Sequence, residues 1–316
     1  MTKQTRAVVL NIGRVVLSVG LLAWVISRAG VEQLAQTLRA ADWRWYALGL
    51  AVSTVSMFTR VARWQVLLRA VGVRAPFTRI LYLYYVGAFY NTFLPTGFGG
   101  DVVRVLEFGE GATSQQATGT VLVDRLTGFI MLFALALVAL PFVWALLPLW
   151  LALVIAGVAG GVMLGSVLLF EGKILRGLTA RFPRALSLAG DAWLGKTYAV
   201  ITACGQRAIV GALGWSLVFN LLHIGAVALV GVALGLTVSM GVYLALVPLA
   251  TVALLIPITI SGLGFREWMY VNLFGQLGLQ AAQSTVLSFG SYSLDLFDGV
   301  VGGVVYLLAG LRGLRK

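Results

Sequence analysis

The stretch Asn91-Thr92-Phe93-Leu94-Pro95-Thr96-Gly97-Phe98-Gly99-Gly100-Asp101-Val102-Val103-Arg104 interrupts an apolar run that extends from Phe77 to about Glu110. Pro95 lacks the N–H that a helix interior needs, and the glycines after it weaken helix propensity. A helix begun near Phe77 must therefore stop here. Non-helical backbone at membrane depth is tolerated only where protein or a water-filled cavity covers it. The fold turns on whether this run crosses a bilayer or returns to the side it came from.

The surrounding sequence makes lipid the solvent. Of 316 residues, 60% are hydrophobic and 11% charged, mean hydropathy is +0.96, and no charge occurs between Leu126 and Phe170. A soluble domain carries about 25% charged residues. The composition predicts an all-α polytopic membrane protein, one integral membrane domain over residues 1–316 with no soluble catalytic domain. A spanning helix needs about 20 apolar residues. The first candidate, Ala7 to Ser27, is read as a retained anchor, because Trp24-Val25-Ile26-Ser27-Arg28 offers no small-residue cleavage site. Further runs begin near Trp43, Phe77, Ala117, Trp150, Ala208, Met240 and Ala281.

Charge decides how these segments cross. Cytoplasmic loops concentrate Lys and Arg, and the stretch from Glu171 to Arg207 carries Lys173, Arg176, Arg181, Arg184, Lys196 and Arg207 against Glu171 and Asp191. If every segment crossed, this stretch would lie opposite the basic amino terminus. If the Phe77–Glu110 run folds back, both are cytoplasmic, together with Arg60, Arg63, Arg69, Arg74 and Arg79. A second run, Met240 to Pro257, meets Ile258-Thr259-Ile260-Ser261-Gly262-Leu263-Gly264 and folds back from the outer side. The expectation is six full spans and two re-entrant helical hairpins, both termini cytoplasmic, in a bacterial inner membrane.

The two breaks resemble each other. Gly97-Phe98-Gly99 and Gly262-Leu263-Gly264 each follow a proline and precede acids, Asp101 or Glu267 beside Arg266, and Asp124 to Gly128 repeats the spacing of Asp295 to Gly299. Opposite sides of approach make this an inverted-topology repeat, about 43–170 and 207–311, an architecture that places substrate near the midplane.

Ionic side chains at membrane depth persist where they pair or serve transport. The candidate substrate-binding residues are Asn91, Asp101, Arg104, Asp124, Arg125, Arg266, Glu267, Asp295 and Asp298, around the helix breaks Pro95, Gly97, Gly99, Gly100, Pro257, Gly262 and Gly264. Asn91 either terminates its helix or binds substrate, and Asp101 and Glu267 either cap a helix or contact a ligand. Helix neighbours point about 100° apart, so Asp124 and Arg125 belong to different pairs. Asp295 and Asp298 share a face: either one caps or pairs with an arginine while the other faces interfacial water, or, because two close carboxylates in low dielectric resist double ionisation, one carries a proton. Arg104, Arg125 and Arg266 suit a phosphodiester and the acids an amine, the chemistry of a phospholipid head group.

Other chemistries are excluded or disfavoured. One cysteine, Cys204, makes no internal disulfide, and one histidine, His223, builds no His-rich metal site. His223 and Asn220 read better as an interhelical hydrogen-bonding pair than as a proton relay. The net charge of +12 lies in short stretches between apolar runs, against nucleic acid. No Gly-Lys-Ser/Thr or dinucleotide fingerprint occurs, so no cofactor is expected.

Taken in order, Asn91-x-x-Leu94-Pro95-x-x-x-Gly99-Gly100-Asp101-x-x-Arg104, Asp124-Arg125-x-x-Gly128, Pro257 and Gly262-x-Gly264-x-Arg266-Glu267 resemble the lysylphosphatidylglycerol synthase transmembrane family over most of the chain. The resemblance implies the flippase-type membrane module of the multiple peptide resistance factor, here as a stand-alone member. Asp101, Arg125 and Glu267 match the family's charged motif positions. The chain ends at Leu314-Arg315-Lys316 after its last helix, so no aminoacyl transferase domain is expected.

The leading expectation is an inner-membrane lipid translocator for a phospholipid or polyprenyl-linked lipid, not an enzyme, working by alternating access around a polar midplane cavity. The alternatives are a membrane-embedded transferase on a lipid phosphate, with Asp101 or Asp124 as base, and a non-transporting envelope-pathway scaffold. Gly299, Gly302 and Gly303 permit close helix packing within the chain or in a homodimer.

Overall fold

A computed structural model describes residues 3–93, 99–171, 193–255 and 262–311, with Gly177, Thr179 and Thr259 besides. Among these residues the chain is helical, without strands. The longer helices are α1 (Lys3–Ala29), α2 (Val31–Arg39), α3 (Trp43–Ala70), α4 (Phe77–Phe93), α5 (Gly99–Leu106), α6 (Ser114–Val143), α7 (Leu149–Glu171), α8 (Trp193–Ala203), α9 (Gly205–Ala233), α10 (Met240–Leu255), α11 (Phe265–Gly275) and α12 (Ala281–Leu311).

Local chemistry sets several boundaries. The Asp42 carboxylate accepts the Arg44 N–H at 3.0 Å and caps α3. Thr113 and Gln116 form a reciprocal box at the start of α6, with bonds of 3.2 and 2.9 Å, and the Gln116 amide donates to the Val71 carbonyl at 3.1 Å, tying α6 to the end of α3. Gly264, at φ 81°, opens α11, where the Glu267 carboxylate accepts its N–H at 2.6 Å.

Among the described residues, four helical stretches are long and apolar enough to cross a membrane: Ser114–Leu146, Leu149–Phe170, Gly205–Ala233 and Ala281–Leu311. This is a multi-pass membrane protein. Helices α1 and α3, of 27 and 28 residues, have the length, but α3 also carries Arg44, Arg60, Arg63 and Arg69. Arg60 and Arg63, expected in a cytoplasmic loop, lie instead inside α3, which continues to Ala70. Arg63 is 4% exposed. Arg63 pairs inside the fold with Asp124, and Arg60 lies over the rings of Tyr84 and Phe219.

In each broken segment the described helices pack against each other, α4 with α5 and α10 with α11. Helix α5 doubles back along α4: Asn91 Oδ1 accepts the Gly100 N–H at 2.8 Å, and Arg79 at the start of α4 donates to the Glu107 carbonyl beyond α5 at 2.5 Å. A Cβ on Gly100 would stand 2.0 Å from the Gly87 carbonyl oxygen, so glycine is what lets the strands of the hairpin touch. In the second hairpin, Tyr243 early in α10 meets Phe274 late in α11, ring centroids 5.8 Å apart. The breaks Pro95, Gly97 and Pro257 lie outside the described residues; Gly99 and Gly100 open α5, and Gly262 and Gly264 precede α11 with φ 75° and 81°.

Helices α3 and α9 form the most extensive pair. Around them α4 packs on α12 and α10 on α6, so each hairpin leans on the long helix that follows the other hairpin. Gly299, Gly302 and Gly303 of α12 face Thr92, Tyr85 and Phe89 of α4, and a Cβ on Gly302 would meet the Tyr85 carbonyl oxygen at 1.9 Å. These glycines serve packing within the chain. One apolar cluster gathers around Trp64, Leu67, Leu83 and Tyr84, the other around Leu132, Tyr243, Leu246 and Phe274. The polar site lies where they meet.

Candidate functional site

Asp124 lies about 15 Å along α6 from its start at 1.5 Å per residue, and it is 1% exposed. A lone carboxylate at such a place would cost several kcal/mol of desolvation. Three donors from three other helices offset that cost. Arg63 Nε of α3 reaches Asp124 Oδ1 at 2.7 Å, the Tyr84 hydroxyl of α4 donates to Oδ2 at 2.5 Å, and Arg104 Nη2 of α5 reaches Oδ2 at 3.2 Å. Arg63 Nη1 also donates to the Ser216 hydroxyl of α9 at 3.2 Å.

Arg125, the next residue, pairs with Asp101. Asp101 also accepts from Arg104 Nη1 at 3.3 Å. Asp124 and Arg125 thus enter different pairs, as their angular separation on the helix requires. One turn after Asp124, Gly128 makes room for a guanidinium: a Cβ there would stand 2.9 Å from Arg63 Nη1. The Asp-x-x-x-Gly spacing accordingly places an acid and the gap that admits its base on one helix.

Aromatic faces hold the cations from behind. Arg104 lies 4.1 Å from the Trp64 ring centroid and 3.9 Å from that of Tyr84. Arg60 stands 5.3 Å from Tyr84 and 5.2 Å from Phe219, distances at which the ring quadrupole attracts a cation.

These residues border a cavity of about 170 Å³, lined by Arg60, Arg63, Asp101, Arg104, Asp124 and Arg125, with Phe219, Asn220 and His223 of α9. Arginines outnumber carboxylates on its wall. Arg60 Nε and Arg104 Nε are both buried without a hydrogen-bond partner, an arrangement that calls for an acceptor. Asn220 is committed to structure, donating across to the Gly128 carbonyl of α6 at 3.1 Å and back to Ser216 at 2.8 Å. His223 stacks on Phe219 at 5.6 Å.

The other expected residues fall elsewhere. Asn91 binds the hairpin backbone. Arg266 and Glu267 pair with each other at 2.7 Å, both with the Ser288 hydroxyl nearby at 3.2 and 3.1 Å, and Arg266 stacks over Tyr292 at 4.1 Å. Glu267 combines helix capping with this ion pair, and neither residue lines the cavity. Asp298 of α12 stands within electrostatic reach of Arg60 and of Asp295, and Asp295 within reach of His223. Asp298 Oδ1 is buried without a partner. Arg60, Arg63, Tyr84 and Ser216 are the site residues that sequence reasoning missed. Their signal was the pair Arg60-x-x-Arg63, one face of a helix with apolar residues continuing beyond it.

The sequence is similar to known membrane proteins. Residues 11–302 match the sequence family described as the lysylphosphatidylglycerol synthase TM region. A UPF0104 membrane protein of Pyrococcus horikoshii is 23% identical over 136 residues, which cover 42% of this chain and 40% of that protein. The match thus spans less than half of the relative's length.

Proposed function

The chain belongs to the lysylphosphatidylglycerol synthase TM region family, and from that premise we propose that its arginine cavity receives the phosphate of a membrane lipid during translocation between leaflets. One observation carries this reading: Arg60 and Arg104 present buried, unpartnered Nε groups at a cavity with four arginines and two aspartates on its wall. Phosphate is the membrane anion that matches forked guanidinium donors.

The transport part of the reading draws on the hairpins. In it, α1, α3, α6, α7, α9 and α12 span the inner membrane with both termini cytoplasmic, while α4–α5 and α10–α11 enter from opposite faces. The exchange of partners, α4 on α12 and α10 on α6 about the α3–α9 pair, is what a two-fold axis relating inverted repeats would generate. Movement requires no covalent step, so the residues that bind are also those that release.

The test is transbilayer equilibration of a fluorescent anionic phospholipid in proteoliposomes. Wild-type protein should speed it at least about tenfold over protein-free vesicles, and Arg60→Gln should remove most of that gain. Equal rates for the two proteins would refute the assignment of the cavity.

A further inference from the structure

The same cavity discriminates among phosphate-bearing lipids, an inference that rests on the lipid-phosphate reading above. We propose that its ligand is a lipid phosphomonoester, with the phosphate at the end of the lipid and no further head group attached.

Size is the first argument. About 170 Å³ is well under the roughly 300–1,000 Å³ of pockets that enclose a drug-sized molecule. It seats a phosphate group, while an esterified glycerol, an amino acid or a sugar beyond it would have to lie outside the arginine wall. The wall does not readily widen, because Arg63, Arg104 and Asp124 are locked to one another across three helices.

Charge is the second. Arg60, Arg63, Arg104 and Arg125 face Asp101 and Asp124, an excess of two positive charges. The two carboxylates are taken by Arg63, Arg104 and Arg125. Arg60 makes no ion pair among the described residues; Asp295 and Asp298 lie outside the cavity lining and beyond ion-pairing distance of it. A phosphomonoester, whose second ionisation falls near about pH 6, carries close to two negative charges at about pH 8. A phosphodiester lipid carries one phosphate charge at any such pH and would leave one of the wall's two excess positive charges unmatched.

Hydrogen bonding is the third. The Nε groups of Arg60 and Arg104 lack acceptors, and a monoester presents three terminal oxygens where a diester presents two.

The experiment uses the full chain in phosphatidylcholine nanodiscs, with lipid binding measured by native mass spectrometry. The probes are phosphatidic acid, a prenyl monophosphate and phosphatidylglycerol, with inorganic phosphate as competitor. At about pH 8, at least one monoester should bind roughly tenfold more tightly than phosphatidylglycerol, and at about pH 5.5 the preference should shrink to about twofold. Phosphatidic acid and the prenyl lipid tell whether a diacylglycerol or an isoprenoid tail is the source. Equal binding of the two, with displacement by inorganic phosphate, assigns recognition to the phosphate alone. Arg60→Gln should abolish the preference at an unchanged melting temperature, and Arg60→Lys should retain most of it.

Phosphatidylglycerol binding as well as the monoesters at pH 8, or a preference that survives Arg60→Gln, overturns the proposal. A protein that moves lipid in vesicles while binding all three alike keeps translocation and loses this inference. One that prefers monoesters but moves no lipid does the reverse.

Discussion

Replacing Asp124 by alanine probes the center of the site most directly. The side chain is 1% exposed and accepts from Arg63 at 2.7 Å, Tyr84 at 2.5 Å and Arg104 at 3.2 Å. Asp124→Ala strands two guanidinium groups that are themselves 4% and 3% exposed. Breaking a buried ion pair by removing one partner costs about 3–5 kcal/mol. At roughly 2–4 °C per kcal/mol for a larger domain, the melting temperature should fall by about 6–20 °C. Asp124→Asn keeps the shape and an acceptor for Tyr84 but loses the charge, so its fall should be intermediate. Intrinsic fluorescence during a thermal ramp in detergent is a suitable assay, because Trp64 packs edge-on against Tyr84 at 5.8 Å and beneath Arg104. If Asp124→Ala melts within about 2 °C of wild type, the cluster is hydrated and the buried-triad argument fails.

Two further outcomes separate packing from ligand recognition. Gly302→Val drives a side chain into the Tyr85 carbonyl, 1.9 Å from where its Cβ would lie, and should cost about 1–3 kcal/mol or more in the same thermal assay; Gly214→Ala, with open space at its Cβ, should leave stability unchanged or slightly raised. Glu267→Gln removes the charge that holds Arg266 at 2.7 Å and weakens the acceptor for the Gly264 N–H, so it should lower the melting temperature while leaving lipid selectivity in nanodiscs as in wild type.

Hydropathy made the helical membrane class legible, because lipid imposes it on every segment at once. Gly262 and Gly264, at positive φ before α11, were also legible, since glycine acts on the local backbone. So was the division of Asp124 and Arg125 between partners, which follows from helix geometry alone. Arg63 was read only as a positive-inside charge, and that rule counts charge without asking whether a partner exists sixty residues on. Only the folded chain brings Asp124 to Arg63. Asn91 and Glu267 looked like ligand groups for a related reason: polar residues near a helix break serve its freed N–H groups as readily as a substrate. Sequence left that choice open, and the bonds to Gly100 and Gly264 show both engaged with backbone.

The convergence on Asp124 has a mechanical consequence. Charged or short bonds bolt α3, α4, α5 and α6 to a single carboxylate, so those four helices behave as one stiff lever. Their seams with α9 and α12 are held by the Arg63–Ser216 and Asn220–Gly128 hydrogen bonds and by close glycine packing on α4. All four arginines and both aspartates of the cavity wall lie on three of those helices, so the site is held as one preformed unit.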